Sequence, residues 1–182
     1  MLHRTRLRLA QVAAHFSTPV TVDLPELLDV LLTTLARERF RSLPASDQRH
    51  LIQVATSLAQ AGASSNTVTA GLLHDIGKWA PGVPIRLHHR VAKVVLETVH
   101  PGTLNRLRKH SAPPRGLTAL WILACHPRHG AELAAEWGYP ERVAWLIGHH
   151  EDTSSSDPDL RLLIEADAGR LQPESARMLP YG

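Results

Sequence analysis

Cysteine is almost absent from this chain: Cys125 is the only one. A single thiol excludes an internal disulfide and a cysteine-rich zinc site. Its neighbours Trp121, Ile122, Leu123 and Ala124 mark it as a buried core thiol, compatible with a reducing, cytoplasmic setting. Long apolar runs are missing too. No stretch approaches the ~18–20 residues that cross a bilayer, so no membrane span is expected. The opening residues MLHRTRLRLA are too interrupted by arginine to form a secretory core. They read as a basic amphipathic helix docked on the domain. Charge of one sign is not in large excess: 20 Lys and Arg face 17 Asp and Glu, a net charge of +3. That balance suits an anionic substrate without making a nucleic-acid binder, and the basic stretches 86–93 and 106–115 read as solvated helix faces. Alternating strand patterns and internal repeats are absent, and low complexity is confined to the short polar loop at 153–156.

What is present is a chain of 182 residues, 43% apolar and 20% charged, enough for one domain with a substantial core. Its periodicity is helical throughout. Leu27, Leu28, Leu31, Leu32 and Leu35 predict one helix over Leu24–Phe40, ending near Pro44. A second, capped by Ser46 or Asp47, carries His50, Val54 and Leu58 and stops near Gly62. A third begins at Ser65 or Asn66 and runs to Gly77, followed by a loop at Pro81–Pro84. Further helices are expected near 86–99, 103–110, 116–125, 128–137, 140–150 and 158–170. The expected organisation is an N-terminal helical extension, 1–43, packed on an all-α helical bundle, 44–170, with a tail at 171–182.

The chemistry concentrates in Gly71-Leu72-Leu73-His74-Asp75-Ile76-Gly77-Lys78. It sets a neutral nitrogen donor beside an anionic oxygen donor. Adjacent side chains splay by about 100° on a regular helix, so both reach one cation only where the helix ends or deforms, an end that Gly77 can supply. Lys78 stands beside the pair, placed to meet an anionic substrate. Other donors follow the same theme: His50 upstream, then His126-Pro127-Arg128-His129-Gly130, His149-His150-Glu151, and Asp167 between two alanines. Facing helices of a bundle are a natural way to bring such donors together. Arg86, His88, His89 and Arg90 read as a basic helix face rather than a phosphate pocket.

The order H…HD…H…HH…D resembles the HD-domain superfamily of metal-dependent phosphohydrolases. The His-Asp-Ile-Gly-Lys form looks most like its HDIG branch, and the resemblance covers roughly residues 44–170. It implies a helical bundle with the metal site in its core. It makes His50, His74, Asp75 and Asp167 ligands of a first divalent ion, with Asp75 bridging to a second, and matches His126, His149 and His150 to the added ligands. Imidazole and carboxylate donors suit Fe, Mn or Zn. The implied reaction is attack of a metal-activated hydroxide on a phosphorylated small molecule, nucleotide or dinucleotide, with Asp75 and Lys78 as the catalytic residues. Two other readings share the ligands: a non-catalytic signalling or binding module, and a di-iron oxygenase. The Gly-Tyr-Pro that follows His-His-Glu in cyclic-di-GMP phosphodiesterases is missing here, since Gly138-Tyr139-Pro140 comes before His149. A trinuclear relative would carry Glu where this chain has Ser46. Both departures argue against a cyclic-di-GMP enzyme and against a third metal.

Overall fold

Small polar side chains and prolines set most helix boundaries in this protein. The computed structural model describes residues 25–80 and 82–171, with side chains from residue 28 onward. Among these it contains α1 (Pro25–Leu31), α2 (Thr34–Arg41), α3 (Ala45–Gln60), α4 (Ser65–Leu73), a 3₁₀ turn (Ile76–Lys78), α5 (Leu87–Val99), α6 (Pro101–Arg108), α7 (Thr118–Glu136), α8 (Glu141–His149) and α9 (Pro158–Asp167), and no strand. The all-α expectation holds. No helix among the described residues is long and apolar enough to cross a membrane. The expected basic helix in residues 1–24, and the tail beyond residue 171, lie outside the described residues.

Helix α3 starts at Ala45 on Pro44 with no side-chain cap, ahead of the expected Ser46 or Asp47 cap, and three further boundaries differ from the sequence reading, each for a local reason. Residues 24–40 do not form one helix. Thr33 adopts an extended backbone (φ −61°, ψ 162°) and its hydroxyl accepts the Ala36 amide at 3.3 Å, capping α2 and ending α1. The Tyr139 hydroxyl bridges that break, accepting the Thr33 amide at 3.0 Å and donating to the Leu31 carbonyl at 3.1 Å. Residues 116–125 and 128–137, expected as two helices, are one: α7 runs through Pro127. Proline removes the N–H that would have reached the carbonyl four residues back. The His126 imidazole compensates, its Nδ1 donating to Leu123 O at 2.8 Å. Finally, α4 stops at Leu73, four residues before Gly77. Gly77 lies inside the 3₁₀ turn and is not among the glycines with positive φ.

The chain divides into two compact units, one holding described residues 25–76 and 127–171, the other 77–126. In the first, α4 packs on α3 and α8, and α9 packs on α3, α4 and α8. Leu51, Val54, Ala55 and Leu58 form the buried stripe of α3 at the i, i+3, i+4, i+7 spacing of an amphipathic helix. Helix α4 is buried over every residue from Thr67 to Leu73, as a central helix should be when its neighbours cover all sides. Leu146, Ile147, Leu160 and Leu163 complete the core from α8 and α9. Each such side chain contributes about 1.5–3 kcal/mol by leaving water.

Gly71 sets how closely α3 and α4 approach. A Cβ there would collide with Leu58 Cδ1 and lie 3.3 Å from Val54 Cγ1, both buried. Gly71→Ala is therefore expected to destabilise the protein by about 1–3 kcal/mol through overpacking. Urea denaturation midpoints for the two proteins check this; an unchanged midpoint would show that the helices have slack.

The second unit packs α5 against α6. Its core joins Leu104, Leu107, Trp121, Ile122, Ala124 and Cys125, with Leu96 and Ile85 against them. Cys125 is a buried core thiol, as its neighbours imply. The polar parts of this core are paired: Trp121 Nε1 donates to the His110 carbonyl at 3.2 Å and Arg108 Nε to the Ala124 carbonyl at 3.0 Å.

Candidate metal centre

The end of α4 carries the site. Helix α4 gives way to the 3₁₀ turn over His74 and Asp75, so the two adjacent side chains fall where regular helical geometry has stopped. His74 is wholly buried, and its Nδ1 donates to the Gly71 carbonyl at 2.8 Å. That bond puts the lone pair of the neutral ring on Nε2. Nε2 is buried without a well-formed hydrogen bond, and its nearest partners are Asp167 Oδ1 at 3.3 Å and Asp75 Oδ1 at 3.7 Å.

Around this atom the larger unit assembles an alternating chain of imidazoles and carboxylates. His50, from α3, places Nε2 2.9 Å from Asp167 Oδ1 at the end of α9. His150, just past α8, places Nε2 3.8 Å from Asp75 Oδ1. The order is His50–Asp167–His74–Asp75–His150. The rings meet edge to face, His50 to His74 at 5.3 Å and His74 to His150 at 5.1 Å between centroids. Donor atoms of His50, His74 and Asp167 all lie within 4.8 Å of one another. Donors each about 2.1 Å from a single ion sit about 3.0–3.4 Å apart, so the 2.9 and 3.3 Å separations already approach a coordination polyhedron. With imidazole and carboxylate donors and no thiolate in it, the donor set could hold a divalent metal ion.

The protein prepares these rings as ligands. His150 Nδ1 donates to the Ile147 carbonyl at 2.7 Å, repeating the i−3 lock of His74. Fixing one ring nitrogen on a backbone carbonyl orients the other toward a metal. Arg142 braces the far side: it donates to Asp157 at 2.7 Å and Asp159 at 2.8 Å, tying α8 to the start of α9, whose far end carries Asp167. Asp157 also caps α9 by accepting the Leu160 amide at 2.9 Å. Sequence reasoning missed this brace, although Asp157-Pro158 is a helix-start signature.

The charges follow from the geometry. Burial would push the His74 imidazole down, but the Asp75 and Asp167 carboxylates overcome it and raise its pKa to about 9. Burial likewise opposes ionisation of Asp167, yet the His74 charge and the hydrogen bond from His50 hold its carboxyl well below the usual carboxylate range. For His50 burial prevails over the Asp167 hydrogen bond, and its pKa is lowered. The cluster thus draws a positive charge to His74 Nε2.

The remaining residues singled out in the sequence are placed as follows. His149 is exposed; its Nδ1 donates to the Trp145 carbonyl at 2.8 Å and its ring stacks on Trp145 at 4.5 Å between centroids. It does not join the donor cluster. His126 is buried in α7 with the Leu123 lock described above. Lys78 closes the 3₁₀ turn and is half-buried.

A histidine–aspartate cluster of this kind, in an all-α protein, is the donor set of a metal-binding helical domain. A family model described as HD domain matches residues 48–174, and the chain belongs to that family. HD domains bind divalent metals, and the family is mostly metal-dependent hydrolases. No curated protein and no solved structure matched the chain.

Proposed function

We propose that this protein is a metal-dependent phosphohydrolase acting on a nucleotide, a dinucleotide or another phosphate ester. The observation that carries the reading is the buried His74 Nε2, set 3.3 Å from an Asp167 oxygen and 3.7 Å from an Asp75 oxygen, a place that draws positive charge. With the ring neutral, its lone pair would face two anionic oxygens, so a proton or a metal cation belongs at that position. His50, His74, Asp75 and Asp167 would hold a first divalent ion. Asp75 and His150 would begin a second set; His126 is kept as a further proposed ligand on its place in the sequence pattern. His149, committed to Trp145, is left out of the ligand set.

Bound there, a divalent metal would polarise a phosphoryl oxygen and lower the pKa of a water toward about 7. The chain's own part is to hold the metal's charge with Asp75 and Asp167, to fix the imidazoles, and to neutralise charge growing on the phosphate. That last role is assigned to Lys78.

Two measurements on protein purified without chelator test this: elemental analysis, and release of phosphate or alcohol from a panel of phosphomonoesters and phosphodiesters. One or two transition-metal ions per chain, with hydrolysis that chelation removes and metal restores, is the expected result. No retained metal after anaerobic reloading, or full metal without hydrolysis, overturns it. A mixed-valent iron signal with substrate-dependent oxygen uptake would overturn it in favour of an oxygenase.

A further inference from the structure

The smaller unit carries a second polar feature, built from residues that take no part in the histidine–aspartate cluster. A groove of about 290 Å³ opens where α5 and α7 begin. Arg86, His88 and His89 line one side, and Gly116 and Thr118 the other. The rest of its lining is apolar, from Val83, Pro84 and Ala119, and no acidic side chain lines it.

The hydrogen bonds decide which atoms the groove offers. The Arg86 amide donates to His89 Nδ1 at 3.1 Å, so the neutral His89 ring carries its proton on Nε2. That proton is donated to His88 Nε2 at 3.0 Å, which leaves the His88 proton on Nδ1. The imidazole pair therefore ends in a donor. At the other helix start, α7 begins at Thr118, and the Trp121 amide donates back to the Leu117 carbonyl at 2.8 Å. The Thr118 and Ala119 amides precede it, among the donors that a helix start leaves without intrahelical partners. Gly116 turns the chain there with φ +75°, and no atom approaches within 4 Å of where its Cβ would be. Guanidinium, imidazole, hydroxyl and helix-start residues line one groove, with no carboxylate among them. This is the donor chemistry that binds phosphate, with Arg86 able to engage two oxygens at once. The volume leaves room for a phosphate and a compact attached group.

We propose that this groove is a binding site for the phosphate group of a small phosphorylated ligand, distinct in its residues from the histidine–aspartate cluster. The basic face that the sequence suggested at 86–90 is thereby given a specific occupant.

Nitrogen-15 NMR of the full chain tests the proposal. Inorganic phosphate and adenosine monophosphate are titrated separately, with acetate as a comparator, and the amides of Gly116, Thr118 and Ala119 and the rings of His88 and His89 are followed. Saturable shifts at these positions with both phosphates are expected, weakened roughly tenfold by Arg86→Ala and less by Arg86→Lys, which keeps the charge but loses the two-point contact. Shifts confined to residues around His74 and Asp167 would overturn the assignment. So would an unchanged response in Arg86→Ala, an equal response to acetate, or failure of adenosine monophosphate to shift these positions. Because the readout is binding at residues 86–119, it can fail while hydrolysis and metal content behave as proposed, and the reverse.

Discussion

Replacing Asp75 with asparagine is expected to lower phosphoester hydrolysis by at least ~1000-fold and to reduce bound metal at the same time. Asp75 stands between His74, at 3.7 Å, and His150, at 3.8 Å, so it serves both halves of the donor chain. Asparagine keeps the shape and removes the charge, which separates loss of the centre from loss of the fold. A second readout comes from the histidine itself. Burial disfavours the His74 cation, and Asp75 is the strongest influence opposing burial. In the metal-free variant the His74 titration should therefore move down from about 9, as followed by ring-proton NMR. Full activity in the variant would remove Asp75 from the mechanism. Lost activity with metal content and His74 titration both unchanged would make it a group that acts on substrate rather than a ligand.

How much of this was legible in the sequence depends on the range of the interaction that sets each feature. The helical spacing that puts Val54 and Leu58 on one side of α3 is written in local periodicity and formed as the pattern implies, whereas the burial of α4 on every side comes from the helices packed around it. The pairing of His74 with Asp75 at a helix end was also readable, because a cation shared by adjacent residues requires such an end. The identity of the terminator was not: α4 tightens into a 3₁₀ turn instead of closing on Gly77. Pro127 misled because a proline inside a helical pattern normally ends it, and the rescue by the His126 ring depends on a rotamer that no pattern encodes. The same holds for His149 and His150. They are neighbours in sequence, yet one ring locks onto Ile147 O and reaches Asp75 while the other lies on Trp145. Successive positions near the end of a helix point about 100° apart, so a His-His pair supplies one inward donor unless the backbone bends further. The separations that make His50, His74 and Asp167 one cluster come from tertiary packing of α3, α4 and α9, which order along the chain only hints at.

The metal-free protein is expected to lose stability as pH rises above about 6.5, which is unusual for a cluster rich in carboxylates. His74 has a folded pKa of about 9 against 6.5 in an unfolded chain, so the folded state holds the proton more tightly. Its contribution is fully present below pH 6.5 and is lost as pH climbs toward 9, a change on the order of 3 kcal/mol for a ring this deeply buried. His50 and Asp167 act in the other direction. Both have lowered folded pKa values, so the stability they contribute is present above their ordinary values of 6.5 and 3.8 and is lost on acidification. The metal-free chain should therefore be most stable near pH 6.5 and weaken on either side. Urea denaturation of chelator-treated protein at pH 6.5 and pH 9 measures the alkaline limb, and His74→Leu should flatten it. A divalent metal should flatten it as well, because the ion takes the place of the proton between His74 and the two carboxylates and its attraction does not titrate away. Equal or greater stability at pH 9 in the metal-free wild type would mean that His74 is neutral when folded. The repulsion between its lone pair and Asp75 and Asp167 would then have to be relieved by a rearrangement of the cluster, and the case for a cation site at His74 Nε2 would fall with it.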